Sequence, residues 1–508
     1  MSAATGRHVS PWVDTMGPAQ LGPTDFREVA ADVLVIGAGI TGITTAALAQ
    51  RAGLRVAVLD AGRLGASVTT HATVKVTVGH GTAYSRIEQE RGTDAAAAYA
   101  AANLAGYAEV MNLIHSFGID CDWEQGLPHV VYAERAGEVA QIENEAAVAA
   151  RLGLPAAVTG SVPVPFEVAA AVGFENQAQF HPGRYLAGLA EVLVKQGGVV
   201  MEEVRAQGMD EDGDICHVDT TAGRISAPYV VVATHYPILD RGGQFARMTA
   251  RRSYGIAGVL PPGVAAGMTI NVGTPRHSTR TVALGEETLL IVVGEGHEVG
   301  SVSDTGERWA RLRDWAAAHY GVADFRYHWS AQEIDTLDHV PFVGFISPAS
   351  KRILTGTGYG GWGITNGTAA AIMMRDLIVG EPNPWVDTFD ARRAERTLPG
   401  LDTVKQNVHI AKTWLKDRVG GLPKGSISDL APGGAATLEV DGKATAAYRD
   451  EDGTLHAVSA VCTHLRCNVR WNAGEKSWDC PCHGSRFGVD GEVLHGPATM
   501  PLEKRTIS

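Results

Sequence analysis

Apolar positions in the first 400 residues fall mainly in short unbroken runs separated by glycine turns and by stretches of helical spacing. Residues 31–62, ADVLVIGAGITGITTAALAQRAGLRVAVLDAG, read as strand, glycine turn, helix and strand. Helical spacing recurs at 93–117, 183–197 and 304–320, and the runs YVVVAT (229–234), TLLIVVG (288–294) and RILTGTG (352–358) suit strands buried on both faces. Such alternation predicts an α/β body running to about residue 395. Residues 1–30, rich in Pro, Gly and Thr, read as an irregular lead-in.

The pattern then changes. Residues 402–419 place Val404, Val408, Ala411 and Leu415 on one helical stripe, and GGLPKGS reads as a hinge, so 401–425 are expected to link two modules. From 426 to 508 the segments are short, alternating and punctuated by turns, the pattern of a small all-β domain.

Composition narrows the function classes. With 508 residues, 45% of them hydrophobic, the chain has material for a large core and about three domains. Its net charge of −13 argues against a nucleic-acid backbone as partner. Neither a membrane-length apolar run nor a signal-peptide core occurs, which leads to the expectation of a cytoplasmic protein without a membrane span. Glycine is abundant at 60 residues, and four of the six cysteines (Cys462, Cys467, Cys480, Cys482) stand close together, a spacing that points to metal or redox chemistry.

Gly37, Gly39 and Gly42 form G-x-G-x-x-G directly after the strand DVLVI, and Asp60 ends the next strand. The first glycine permits a tight turn, the second lets backbone approach a pyrophosphate, and the third lets helix and strand pack closely. The phosphates then meet the positive end of the helix while Asp60 takes a ribose hydroxyl. A second literal match, Gly356-Thr-Gly358-Tyr-Gly360-Gly361, lacks a following strand with a terminal acid and is not read as a second dinucleotide site. Its glycines open a helix whose N–H groups suit a reduced, negatively charged ring.

Near the C-terminus stand Cys462-Thr-His464 and Cys480-Pro-Cys482-His483. Pairs of the form C-x-H and C-x-x-H suit a Rieske 2Fe–2S centre, with thiolates on one iron and imidazoles on the other. A tetrahedral zinc with two Cys and two His ligands is the competing reading, although zinc sites usually draw on C-x-x-C and H-x3–5-H pairs.

Two resemblances build on these motifs. The glycine fingerprint, THATVKVTVGHG (70–81), VVVATHYP (230–237), DTLDHVPFVG (335–344) and GTGYGGWGITNG (356–367) resemble the D-amino-acid-oxidase-like family of FAD enzymes over about residues 10–395. The branch that includes gamma-glutamylputrescine oxidoreductase is the most similar. This resemblance implies FAD as cofactor and a small-molecule amine or amino acid as substrate, oxidised at its C–N bond. The implied fold is an α/β Rossmann-type FAD-binding domain (31–400) with an interleaved α+β substrate domain, about 80–230 and 250–335, plus the small all-β Rieske domain. Residue by residue it matches Gly37, Gly39, Gly42, Asp60, Arg63, Ala66, Ser67 and Ala206 to the adenosine and pyrophosphate end. Gly358, Gly361, Gly363, Ile364 and Thr365 match the stretch that meets the flavin ring, and His71 is a weak candidate for covalent attachment. Lys75, Tyr359 and Trp362 are the candidate catalytic residues: a lysine in an uncharged stretch and two aromatic walls suited to a cationic amine. His181 is read as orienting its loop, and Arg251 with Arg252 as a solvated pair or a carboxylate clamp.

The segment 426–508, with CTHLRC, WDCPCHGSRF and GEVLHGPA, is similar to Rieske domains of the cytochrome bc type. That resemblance implies Cys462, His464, Cys480 and His483 as cluster ligands and a Cys467–Cys482 disulfide tying the two cluster loops. Arg466 replaces the usual glycine, Ser485 matches a hydroxyl donor to the cluster, and Phe487 replaces a tyrosine donor. Loss of that donor implies a potential below that of the respiratory proteins.

Together the two modules imply electron flow from substrate to FAD, to the cluster, and to an external acceptor that the sequence does not identify. An NAD(P)H-dependent reductase with a built-in Rieske carrier is the alternative. A structural or regulatory cluster is the alternative to electron flow through it, and a non-catalytic redox sensor or assembly partner is a third reading of the whole.

Overall fold

The computed structural model describes residues 6–22, 29–239, 241, 243–302, 305–393, 422, 423 and 425–506. The expected linker helix at 402–419 lies outside them.

Every side chain of Val33–Ile36 and Val56–Leu59 is buried, as unbroken apolar runs require when a sheet is covered on both faces. These strands lie at the heart of a six-stranded sheet ordered Phe342–Phe345, Ile353–Thr357, Tyr229–Val232, Val33–Ile36, Val56–Leu59, Val199–Met201. All its neighbours are parallel except the first pair. Gly37 turns the chain out of the first strand at φ +105°, where an added Cβ would lie 2.5 Å from the Ala233 carbonyl oxygen. A Cβ on Gly42 would stand 1.8 Å from the Gly37 oxygen, so only glycine lets helix Ile40–Arg51 seat on its strand. Helix Gly363–Val379 packs beside it.

A second, ten-stranded and largely antiparallel sheet is ordered Arg7–His8, Phe325–Thr336, Met248–Val259, Glu287–Glu298, His277–Leu284, Met268–Asn271, Glu124–Ala133, Ala170–Gln179, Lys75–Val76, with Ala156–Val158 added to Ala170–Gln179. Two expectations change here. The lead-in is not irregular throughout: Arg7–His8 pairs with Tyr327 and His328, and Pro11–Thr15 is a helix capped by Ser10. Trp12, buried to 1% exposure, holds this piece down and donates to the Ala72 carbonyl at 2.9 Å. Nor does the substrate lobe extend from 80 to 230. Helix Pro182–Lys195 leads back to the parallel sheet, whose edge is Val199–Met201, and the three-stranded meander over 206–227 follows it. Apart from Arg7–His8, the large sheet therefore draws on 75–179 and 248–336.

The C-terminal module is all β, with antiparallel sheets of three (Ala435–Val440, Lys443–Arg449, Leu455–Ser459) and four strands (Arg470–Asn472, Ser477–Asp479, Arg486–Phe487, Val493–His495). Its core joins Trp478, Phe487 and Leu502 to Cys462, Cys467, Cys480 and Cys482. It seats directly on the first body: the Thr305 hydroxyl bonds Asn472 Oδ1 at 2.6 Å, and Gln332 Nε2 donates to the Gly484 carbonyl at 3.3 Å. None of the helices among the described residues is long and apolar enough to cross a membrane.

Candidate functional site

One cavity of about 820 Å3 is lined by both sheets of the body and by the C-terminal module. At one end are Gly37, Gly39, Asp60, Gly62, Ala66, Ser67 and Ala206. Asp60 is fixed there by two backbone donors, Ala38 N–H to Oδ2 at 2.7 Å and Gly62 N–H to Oδ1 at 2.8 Å. Burial pushes its pKa upward, against these bonds and the nearby Arg205 charge. Helix Ile40–Arg51 enters the cavity from Gly39 without a side-chain cap, and so does helix Gly363–Val379 from Trp362. Two helix N-termini open on one cavity, only Ile40 N–H of the first being taken by a side chain among the described residues, Thr69 Oγ1 at 3.1 Å; with a fixed acid and glycines pressed against backbone they fit a dinucleotide carrying a pyrophosphate and an electron-accepting ring.

Gly361, Gly363, Ile364 and Thr365 also line this cavity, whereas Gly358, at φ +80°, packs against Thr336 and shapes the turn behind it. Arg63 departs from expectation. Its side chain is 77% exposed and lies 3.6 Å from Glu203, and it is not among the residues of the wall. His71 borders the cavity with Nδ1 on the Ser67 carbonyl at 2.8 Å, and burial depresses its pKa.

Lys75, Tyr359 and Trp362 all reach the cavity. Lys75 Nζ donates to the Thr269 carbonyl at 2.6 Å and Ser278 Oγ at 2.7 Å, and burial, followed by the Arg280 charge, pushes its pKa well below the lysine range. The Tyr359 hydroxyl bonds Thr41 at 3.0 Å. Trp362 stacks on His80 at 4.8 Å with His129 at 5.9 Å behind it. Burial drives His80 down to about 3, so this backing is neutral at physiological pH.

Several wall residues were not singled out from sequence. Glu333 and Asp335, two apart on Phe325–Thr336, present one face to the cavity, and burial raises both carboxyls. Arg251 Nε lies 3.9 Å from Asp335, and Arg86, Arg276 and Arg308 complete a mixed-charge wall. Arg252 is no carboxylate clamp: it is 2% exposed on the far side of its strand and faces Glu475 of the C-terminal module at 3.7 Å. His181 caps helix Pro182–Lys195, with Nδ1 accepting from Arg184 N–H at 3.2 Å.

The C-terminal cysteines and histidines converge. Cys462 and Cys480 are buried free thiols in contact. A hydrogen bond from Cys480 brings Cys462 down to about 7, while Cys480 is pushed well above the thiol range. Nδ1 of His464 and both ring nitrogens of His483 are buried with no hydrogen-bond partner among the described residues. Two thiols in mutual contact beside two imidazoles with unpartnered ring nitrogens fit an iron–sulfur cluster, which would take both thiolates and satisfy the imidazoles. Cys467 and Cys482 form a disulfide across a Cα separation of 6.6 Å. Their sulfurs lie within 4.8 Å of Cys480, but a disulfide has no thiolate to offer a metal. The Ser485 side chain bonds Cys462 and accepts from Ala498 N–H at 3.0 Å, and Phe487 is buried between the strands.

Arg466, where the Rieske resemblance has glycine, sits in the left-handed region that favours glycine, at φ +63°. Arg466→Gly is expected to relieve about 1–2 kcal/mol of strain, less up to about 1 kcal/mol of unfolded-chain entropy. It also removes a positive charge beside a cluster that gains negative charge on reduction, so the midpoint potential falls. Thermal bleaching and an EPR-monitored redox titration measure the two effects.

The cavity and His483, read as a cluster ligand, are one side-chain layer apart. Tyr236 lines the cavity and stands edge-on to His483 at 6.3 Å, with Phe245 at 5.5 Å from the same imidazole. Gln332 lines the cavity and bonds Gly484.

Comparison with known proteins finds a family for each of the two modules. Residues 32–377 match the family model for FAD dependent oxidoreductases (DAO), and residues 422–505 that for the Rieske [2Fe-2S] domain. The chain is similar over 95% of its length, and 94% of the relative's, to the Rieske 2Fe-2S iron-sulfur protein YhfW of Bacillus subtilis (strain 168), at 33% identity. The Rieske segment is 41% identical over 92 residues to cytochrome b6-f complex iron-sulfur subunit 1 of Synechocystis sp., covering 17% of this chain and 52% of that one. In fold the body resembles glycine oxidase from Geobacillus kaustophilus (TM-score 0.60, 16% identity, 72% of this chain and 99% of that). It likewise resembles L-proline dehydrogenase from P. horikoshii (TM-score 0.59, 18% identity, 72% and 98%). The chain belongs to the DAO family of FAD dependent oxidoreductases and carries a C-terminal Rieske [2Fe-2S] domain.

Proposed function

We propose that the protein oxidises the C–N bond of a small amine or amino acid and delivers the electrons through the Rieske centre to an external acceptor. FAD accepts two electrons as hydride, and the cluster carries one at a time. The observation that carries this reading is the single layer, Tyr236 and Gln332, between the cavity wall and the loop of His483. Trp362, backed by His80, offers a flat apolar wall for the substrate, and Lys75, held by two acceptors, offers a fixed N–H group beside it. Glu333 and Asp335 opposite Arg251 and Arg276 suit a substrate with both an ammonium and a carboxylate, which favours an amino acid over a simple amine. The two solved structures of like fold are of a glycine oxidase and an L-proline dehydrogenase, which supports the same class.

An anaerobic titration tests it, following flavin bleaching by absorbance and the cluster by EPR. An amino acid or amine is expected to bleach the flavin, with the reduced Rieske signal appearing after it. Bleaching with a cluster that stays oxidised would remove the electron route. Reduction by NADH alone would favour the reductase instead.

A further inference from the structure

Part of the FAD cavity belongs to the Rieske module. Residues 493–496, 498 and 499 line the same cavity as Asp60, Val204 and Ala206. Arg205 Nη2 donates to the Val493 carbonyl at 3.0 Å, and the Thr499 hydroxyl to the Gln207 carbonyl at 3.4 Å. The residues on either side of Ala206, which matches the adenosine end, are thus each hydrogen-bonded to the Rieske module.

A closed circuit of buried polar groups holds the two parts together. It leaves the flavin body at Arg252, whose guanidinium bonds Ser330 Oγ at 2.9 and 2.5 Å and faces Glu475 at 3.7 Å. Glu475 accepts from Arg486 at 2.9 Å, and Arg486 bonds Asp479 at 2.9 Å. Asp479 accepts from Asn472 at 2.8 Å, and Asn472 accepts from the Thr305 hydroxyl at 2.6 Å, which returns the circuit to the body. Buried ion pairs add little net stability but are costly to break singly, so they select one seating. Glycines bring the surfaces into contact around it. A Cβ on Gly474 would lie 2.5 Å from Thr305 Oγ1, and one on Gly300 would lie 2.3 Å from Pro481.

We propose that the Rieske module is the closing wall of the FAD site, locked by the Arg252–Glu475–Arg486–Asp479–Asn472–Thr305 circuit, and that FAD leaves only when the module lifts. The inference goes beyond the proposed reaction and holds for any substrate or electron route.

Two variants of the full-length holoprotein test it, and neither residue lines the cavity. Gly474→Ala adds a methyl against Thr305 at a position without a left-handed backbone, and Arg252→Met removes the buried guanidinium that faces Glu475 across the interface, leaving only Ser330 and His8, at 3.9 Å, on that side. Both are expected to keep the Rieske EPR signal, to raise amide exchange at 205–207 and 493–499, and to release FAD on dilution about tenfold faster or more, read by flavin fluorescence. FAD release within twofold of the parent despite raised exchange would overturn the closing-wall role. Unchanged exchange in both variants would overturn the lock.

Discussion

Replacing Asp60 by alanine is expected to give a protein purified largely without flavin. The carboxylate does two things at once. Its oxygens accept the Ala38 and Gly62 N–H groups at 2.7 and 2.8 Å, which sets the turn, and their remaining lone pairs face the cavity where a ribose would lie. Truncation strands two N–H donors at about 1–3 kcal/mol each and forfeits a charged hydrogen bond to the ligand worth about 1.5–3 kcal/mol. Since turn and ligand share these losses, a net penalty of roughly 3–6 kcal/mol corresponds to an affinity loss of about 10^2–10^4. Asp60→Asn is expected to fall nearer alanine than wild type, because its amide turns a donor toward one of the two N–H groups. The flavin-to-protein absorbance ratio and a fluorescence titration measure this. A stoichiometric Asp60→Ala protein with an affinity within threefold of wild type would remove Asp60 from the cofactor site.

The glycines and acid of this site were legible in the chain because their chemistry is local: Gly37, Gly39, Gly42 and Asp60 lie within one strand–helix–strand unit. The same holds for the cluster, where each ligand pair sits on one loop. Long helices were legible as well. The segment 93–117 forms helix Thr93–Phe117, stopped at Gly118 in the left-handed conformation. Arg7–His8 and Pro11–Thr15 were missed because two and five residues are too short to display a period, although Ser10-Pro11 is a helix-start signal.

Lys75 and Arg251 were singled out one by one, but the charged wall that they share with Glu333, Asp335 and Arg276 was hidden for a different reason. Lys75, Arg251, Arg276 and Glu333 come from four separate strands or loops and meet only through sheet order. Arg251 and Arg252 show the point most directly. Read as neighbours they form a pair, but adjacent strand residues point to opposite faces. One therefore borders the cavity beside Asp335, while the other is buried against Glu475. Nothing local distinguishes them, and the role of Arg252 exists only once the Rieske module is seated.

Arg486→Leu is expected to have the largest effect on cluster retention. Arg486 is buried, bonding Glu475 and Asp479 at 2.9 Å and the Ser477 hydroxyl at 2.8 Å. Removing it leaves Glu475 with Arg252, Ser330 and His8, and Asp479 with Asn472 and Ser477, a loss of about 3–5 kcal/mol. For a module of this size that lowers the midpoint of thermal cluster bleaching by upwards of about 10 °C. The pH profile separates this electrostatic role from simple packing. Burial favours the protonated form of Glu475, but the Arg486 and Arg252 charges outweigh it and hold the carboxyl far below its ordinary 4.5. A carboxyl depressed on folding stabilises the native state above its unfolded pKa, and that stabilisation is lost as pH falls through the acid range. Wild-type cluster retention should therefore drop steeply below about pH 4.5. With leucine at 486 the depression shrinks, so the variant starts lower at neutral pH and declines less steeply into acid. Parallel acid limbs in the two proteins would show that Arg486 acts by packing alone.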